Sequence, residues 1–91
     1  MRRLARLLVA ALPLLPAAAG ADEARVATGR ALFVANCQEC HGPTGEGGAG
    51  GDIRGMKQPE VARATRGFEQ MPAFDLGEAD LAAIVAYLAA N

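Results

Sequence analysis

Apolar residues divide the chain into one unbroken run near the start and three periodic segments separated by glycine and proline. Leu81, Ile84, Val85 and Leu88 recur at i, i+3, i+4 and i+7, the spacing of one helical face, and predict a helix within LGEADLAAIVAYLAAN. Gly77 is an acceptable N-cap for it, and Glu78 and Asp80 place negative charge in the first turn, against the exposed amides. Val26, Phe33 and Cys37 fall on one side of an earlier helix, from about Glu23 to the cysteines, with Leu32 and Val34 flanking. Gly29 lies on the same stripe. A glycine there costs about 1 kcal/mol relative to alanine; close approach of another helix would offset that cost, and simple tolerance of glycine is the alternative. QPEVARATRGF predicts a short helix with Pro59 at its first position and Gly67 at its end. EQMPAF is extended or turn-like, because Pro72 disfavours helical angles at Met71. No stretch alternates in the manner of a strand, so the expected fold is all-α, with three or four helices.

The unbroken run has a different character. Leu7 to Ala21 carry no charge, Arg2, Arg3 and Arg6 precede them, and Asp22 follows. A basic start, an apolar centre and the small-residue end Ala19-Gly20-Ala21 have the form of an export signal. Cleavage is expected after Ala21, with Ala19 as the alternative. The rival reading is a membrane anchor, but a spanning helix needs about 20 apolar residues, and this run is shorter and holds Pro13 and Pro16. The expected organisation is a cleaved signal peptide at 1–21 and one domain at 22–91, exported to the periplasm and not inserted stably in a membrane.

Cleavage also changes the charge. Losing the three arginines leaves six basic residues against ten acidic, so the net charge moves from −1 to −4. That balance argues against nucleic acid, since binding the phosphate backbone takes Lys and Arg. It is compatible with docking on a basic protein patch, and equally with plain solubility. The remaining residues, 22–91, make a thin core with four aromatics, Phe33, Phe68, Phe74 and Tyr87, and no tryptophan. Chains of this size need a staple.

The candidate staple is CQECH, which holds both cysteines, Cys37 and Cys40, and the only histidine, His41. A structural zinc site needs four ligands, more than these residues offer. A thioredoxin-like redox pair needs a βαβ context, which is missing. A disulfide across two intervening residues closes too small a loop to stabilise much. The remaining reading is covalent attachment of a c-type haem. Each thiol forms a thioether with one vinyl group, and the adjacent imidazole serves as the proximal iron ligand. The following stretch, HGPTGEGGAGGDIRG, holds seven of the eleven glycines. A structureless loop of that length in so small a domain is expected to wrap something, with low-complexity disorder as the competing reading.

With a single histidine, the second axial position falls to a thioether sulfur, from Met56 or Met71. Met71 is preferred: it lies thirty residues past His41, enough chain to pass round the haem edge, and Pro72 holds its backbone extended. Met56 follows the glycine loop closely and has the ordinary role of a core gap-filler.

GRALF, CQECHG, MPAF and AIVAYL, in that order, resemble the small monohaem class I cytochromes c of bacteria, over nearly all of residues 22–91. The resemblance implies that Met71 is the sixth ligand and that Gly29 and Phe33 pack across the last helix at Tyr87. It also implies an exposed haem edge where redox partners dock. One departure concerns the loop. The family often has Gly-Pro before an apolar residue there, the proline carbonyl holding the proximal imidazole. Here Gly51 stands in the proline's place, so its carbonyl is expected to take over in a floppier loop, with Pro43 a lesser source of rigidity.

The function expected is periplasmic single-electron transfer by one covalent haem cycling between Fe(III) and Fe(II), with transient donor and acceptor proteins and no catalysis of its own. The alternative is a haem c subunit of a periplasmic dehydrogenase or oxidase. Glu39, Glu46, Glu69 and Asp75 are candidates to rim a docking face. A third possibility, a ligand sensor or peroxidase-like site, requires Met71 to be displaceable. Because so thin a core depends on the haem, the Cys37→Ala/Cys40→Ala protein should lose most of its helical circular dichroism, and native helix content in that variant would contradict the expectation.

Overall fold

The computed structural model describes residues 17–91, with side-chain environments from residue 20 onward. Most of the expected signal segment lies outside the described residues. The elements run α1 (Ala17–Asn36), α2 (Gln38–His41), α3 (Gln58–Ala64), β1 (Arg66–Phe68), β2 (Met71–Ala73) and α4 (Glu78–Ala89). Among the described residues the domain is mostly helical, as expected, with one addition: β1 and β2 pair antiparallel, Arg66 opposite Ala73 and Phe68 opposite Met71. This small hairpin, of three residues per strand, is an addition that the sequence did not signal and leaves the all-α class unchanged.

The packing of α1 on α4 is the principal interaction of the fold. Gly29 makes it possible. A Cβ added there would collide with the Ala83 carbonyl and come within 3.0 Å of Tyr87 Cβ. Close backbone approach, not tolerance, therefore explains the mid-helix glycine. One turn on from Gly29, the ring of Phe33 meets that of Tyr87 at 5.4 Å between centroids, tilted by 45°, a separation in the favourable range for aromatic pairs. Phe33, Ile84 and Leu88 are fully buried, and Cys37, Val61, Leu81 and Tyr87 complete the cluster. Val26, Leu32, Ile53 and Met56 pack against it from the edge. Val34, expected to flank the core, is exposed instead.

Local chemistry sets the boundaries. Within the described residues α1 runs from Ala17, well before Glu23, through an alanine-rich stretch of high helical propensity. It stops at Asn36 because Cys37 turns to φ −120°, ψ −28° and starts the single turn of α2. α3 begins at Gln58, one residue before Pro59. The Glu60 carboxylate reaches back to the Lys57 N–H at 2.9 Å, occupying one of the donors that a helix start leaves unpaired. α3 ends at Ala64, ahead of Gly67: Thr65 caps it, with its hydroxyl donating to the Ala62 carbonyl at 3.1 Å. Gly67 lies inside β1 at φ +104°. The Thr65 carbonyl accepts from the Phe74 N–H at 2.8 Å, so the hairpin closes on the end of α3. α4 starts as expected after Gly77, whose N–H donates to the Asp80 carboxylate at 3.3 Å.

Gly29→Ala tests the crossing directly. Helix propensity favours alanine by about 1 kcal/mol, whereas overpacking a tight contact costs about 1–3 kcal/mol. The variant should therefore be less stable than wild type in denaturant unfolding. A rise in its midpoint would show that the helices have room to spare.

Candidate cofactor-attachment site

The CQECH residues occupy the break after α1 and the whole of α2. Cys37 is buried in the core cluster, Cys40 is exposed, and both are free thiols. Burial pushes the Cys37 thiol up to about 11, so it is protonated at neutral pH. That is the reverse of a redox-active pair, whose nucleophilic cysteine is poised low. Among the described residues no three His, Cys, Asp or Glu side chains assemble into a group able to hold a metal ion.

His41 is buried at the end of α2. Its Nδ1 lies 3.0 Å from the Gly51 carbonyl oxygen. A carbonyl only accepts, so Nδ1 is the donor, and in the neutral imidazole the lone pair lies on Nε2. The expected replacement for the proline carbonyl is thus in place. The backbone that supplies it is unlike a proline's: Gly51 sits at φ +88°, far from the −65° that a proline ring imposes.

The glycine loop is ordered by its own backbone. Gly47 N–H donates to the His41 carbonyl at 3.0 Å, Gly50 N–H to the Cys40 carbonyl at 2.6 Å, and Gly51 N–H to the Gly48 carbonyl at 3.2 Å. Ile53 N–H donates to the Gly45 carbonyl at 2.8 Å and carries the chain back to the core. A Cβ at Gly48 would fall 2.6 Å from the Cys40 carbonyl oxygen, and one at Gly50 would fall 2.6 Å from His41 Cε1. These glycines let the loop lie flat on α2. Pro43 contributes through its carbonyl, which accepts from the Tyr87 hydroxyl at 2.9 Å and ties the loop to α4.

Three charged residues also serve the loop. The Glu46 carboxylate accepts from the Thr44 hydroxyl at 2.6 Å and from the Thr44 N–H at 2.9 Å. These bonds, the hydroxyl's first, hold its pKa below the ordinary carboxylate value. Glu46 thus has an internal partner, beyond the docking rim expected of it. Arg54 grips Asp52 through Nε at 3.0 Å and Nη2 at 2.8 Å, and lowers that carboxyl to about 2. Glu39, Glu69 and Asp75 are exposed, as a docking rim requires.

The methionines separate cleanly. Met56 is packed against the core cluster, the gap-filler role that was its alternative. Met71 opens β2, half-buried and outside that cluster. The sequence did not single out Gly50 or Gly48, or foresee the Tyr87–Pro43 bond. Glycine density marked the region but not which positions face the imidazole.

The model of the family described as cytochrome C oxidase, cbb3-type, subunit III, matches residues 24–88. The chain belongs to that family. No curated protein and no solved structure matches it. A cbb3-type cytochrome c domain has a class I-like fold and implies a c-type haem, haem-based electron transfer and redox partners. The donor set here suits such a group. Two unpaired thiols sit one turn apart, and the imidazole has Nδ1 engaged and Nε2 free of any hydrogen bond within the described residues. No helix among the described residues is long and apolar enough to cross a membrane.

The φ of Gly51 makes a prediction against family resemblance. Gly51→Pro, the substitution that matches the commoner family residue, should destabilise the protein and not stiffen it. Proline cannot take φ +88° and would lose the N–H bonded to Gly48. A cost of about 1–3 kcal/mol is expected, measured as a lower midpoint in denaturant; an unchanged or higher midpoint would mean that the loop adapts.

Proposed function

We propose that residues 22–91 act in the periplasm as a single-electron carrier with one covalent c-type haem. In this reading Cys37 and Cys40 would hold the haem as thioethers, and His41 Nε2 and Met71 Sδ would be the donors to its iron. The observation that carries this reading is the His41–Gly51 bond. It fixes the tautomer, leaves Nε2 as the available donor beside two free thiols, and raises the basicity of that donor.

When bound, the haem supplies a one-electron Fe(III)/Fe(II) couple. The chain does the rest. Cys37 and Cys40 fix the group to α2, next to the apolar cluster. His41, held by the loop, presents a lone pair in a fixed orientation. Met71 offers a soft thioether, which raises the potential relative to a second nitrogen ligand. With His41 and Met71 both donating to the iron there would be no place for substrate, which supports transfer over catalysis. Redox encounters of this kind bury less than about 1,200 Å², and the net charge of −4 for residues 22–91 suits a basic partner face. Export by a signal cleaved after Ala21 completes the reading, with no membrane insertion thereafter.

The family description favours a second reading, in which the domain is the haem c subunit of a periplasmic dehydrogenase or oxidase complex. Gel filtration of native extract separates the two: elution alone supports the carrier, and stable co-elution with a large catalytic chain supports the subunit.

The haem assignment is tested on the exported protein. It should be coloured and heavier than the polypeptide by one haem. The ferric wild type and Met56→Ala should both show the methionine-to-iron charge-transfer band, and Met71→Ala should lose it. A colourless product of polypeptide mass would refute the reading. Loss of the band in Met56→Ala alone would move the sixth ligand to Met56.

A further inference from the structure

We infer that Gly50 is a positioning residue, whose bare backbone sets the plane of the His41 imidazole and protects the bond from Nδ1 to Gly51. The inference rests on the haem reading above and concerns how the proximal ligand is tuned.

Three observations converge on this residue. A Cβ at Gly50 would lie 2.6 Å from His41 Cε1, 2.7 Å from Nδ1 and 3.0 Å from the Cys40 carbonyl oxygen. Carbon atoms in contact prefer about 3.5–4.0 Å, so even a methyl group displaces the ring. Second, Gly50 cannot retreat easily, because its N–H donates to the Cys40 carbonyl at 2.6 Å and its neighbour Gly51 is tied to Gly48. Third, Gly50 is not among the glycines with positive φ. Its backbone would accept an L side chain, so the requirement for glycine there is steric and comes mainly from the imidazole. Gly47 provides the contrast: it belongs to the same loop, also lacks positive φ, and a Cβ there meets nothing within 4 Å.

The ring is therefore bounded on its Nδ1–Cε1 edge by the Gly50 backbone, with the Gly51 carbonyl as acceptor. Moving the imidazole lengthens the hydrogen bond from Nδ1–H to the Gly51 carbonyl. A weaker bond makes Nε2 a poorer donor, which favours the ferrous state. The sign follows: crowding at Gly50 raises the reduction potential.

The test uses haem-loaded wild type, Gly50→Ala and Gly47→Ala. Gly50→Ala should show a more positive potential, and the His41 Nδ1–H of the ferrous protein should exchange with solvent about tenfold faster, as the loss of one hydrogen bond implies. Gly47→Ala should match wild type in both. If fully loaded Gly50→Ala also matches wild type in both, the inference is overturned while the haem reading stands. If Gly50→Ala does not accumulate, the wild-type nuclear Overhauser spectrum decides. A cross-peak between the Gly50 α protons and His41 Hε1 supports the contact, and its absence overturns it. A colourless wild type would remove the haem reading and this inference together.

Discussion

The fold depends on two helix backbones meeting at one residue without a side chain. With Gly29 against the Ala83 carbonyl, α1 and α4 come close enough for the tilted rings of Phe33 and Tyr87 to meet across the contact. That contact helps to place the Tyr87 ring. Its hydroxyl then reaches the Pro43 carbonyl, forty-four residues away in sequence, and anchors the start of the glycine loop. The loop in turn supplies the carbonyl that holds His41. A contact in the core is therefore linked to a ring at the site through a run of specific contacts.

Order in that loop comes from backbone hydrogen bonds, not from regular structure. Carbonyls of α2 receive N–H groups of the loop, and the loop carbonyls receive N–H groups further along. Buried backbone groups need such partners, and side chains would hold the two strands of chain apart. Glycine is thus required here for two distinct reasons. At Gly51 the backbone needs φ +88°, while at Gly50 the neighbouring ring leaves no space. Asp52 and Arg54 add an exposed ion pair just beyond, of little energetic weight by itself.

Much of this was legible because periodicity reports burial. α4 has one face against α1, and Leu81, Ile84 and Leu88 are buried as their spacing requires, with Gly77 as the cap. The glycine of α1 was legible as a question, and the structure answered it with Ala83. The hairpin was not legible. Its strands have three residues each, and all but half-buried Met71 are exposed, so no alternation of apolar and polar positions could arise. Gly67 read as a helix stop because glycine marks both helix ends and strand distortions, and only pairing with β2 separates the two. The end of α3 depended on Thr65, a residue with no strong capping signature at a C-terminus. CQECH was legible as chemistry from spacing alone, while the wall opposite His41 needed a distance.

The exchange of proline for glycine in the loop shows how the same bond can be held by different means. A proline ring limits φ covalently, so the carbonyl it presents is oriented before any other contact forms. Gly51 has no such limit and is held through its N–H to Gly48, through Ile53 to Gly45, and by the close fit of Gly50 on the imidazole. Rigidity of that kind exists only in the assembled structure. The orientation of His41 therefore depends on the assembled loop, and a disturbance at Tyr87 has a physical route to it through the Pro43 carbonyl. In a domain with so small a core, stability and the placement of the His41 ring rest on the same contacts.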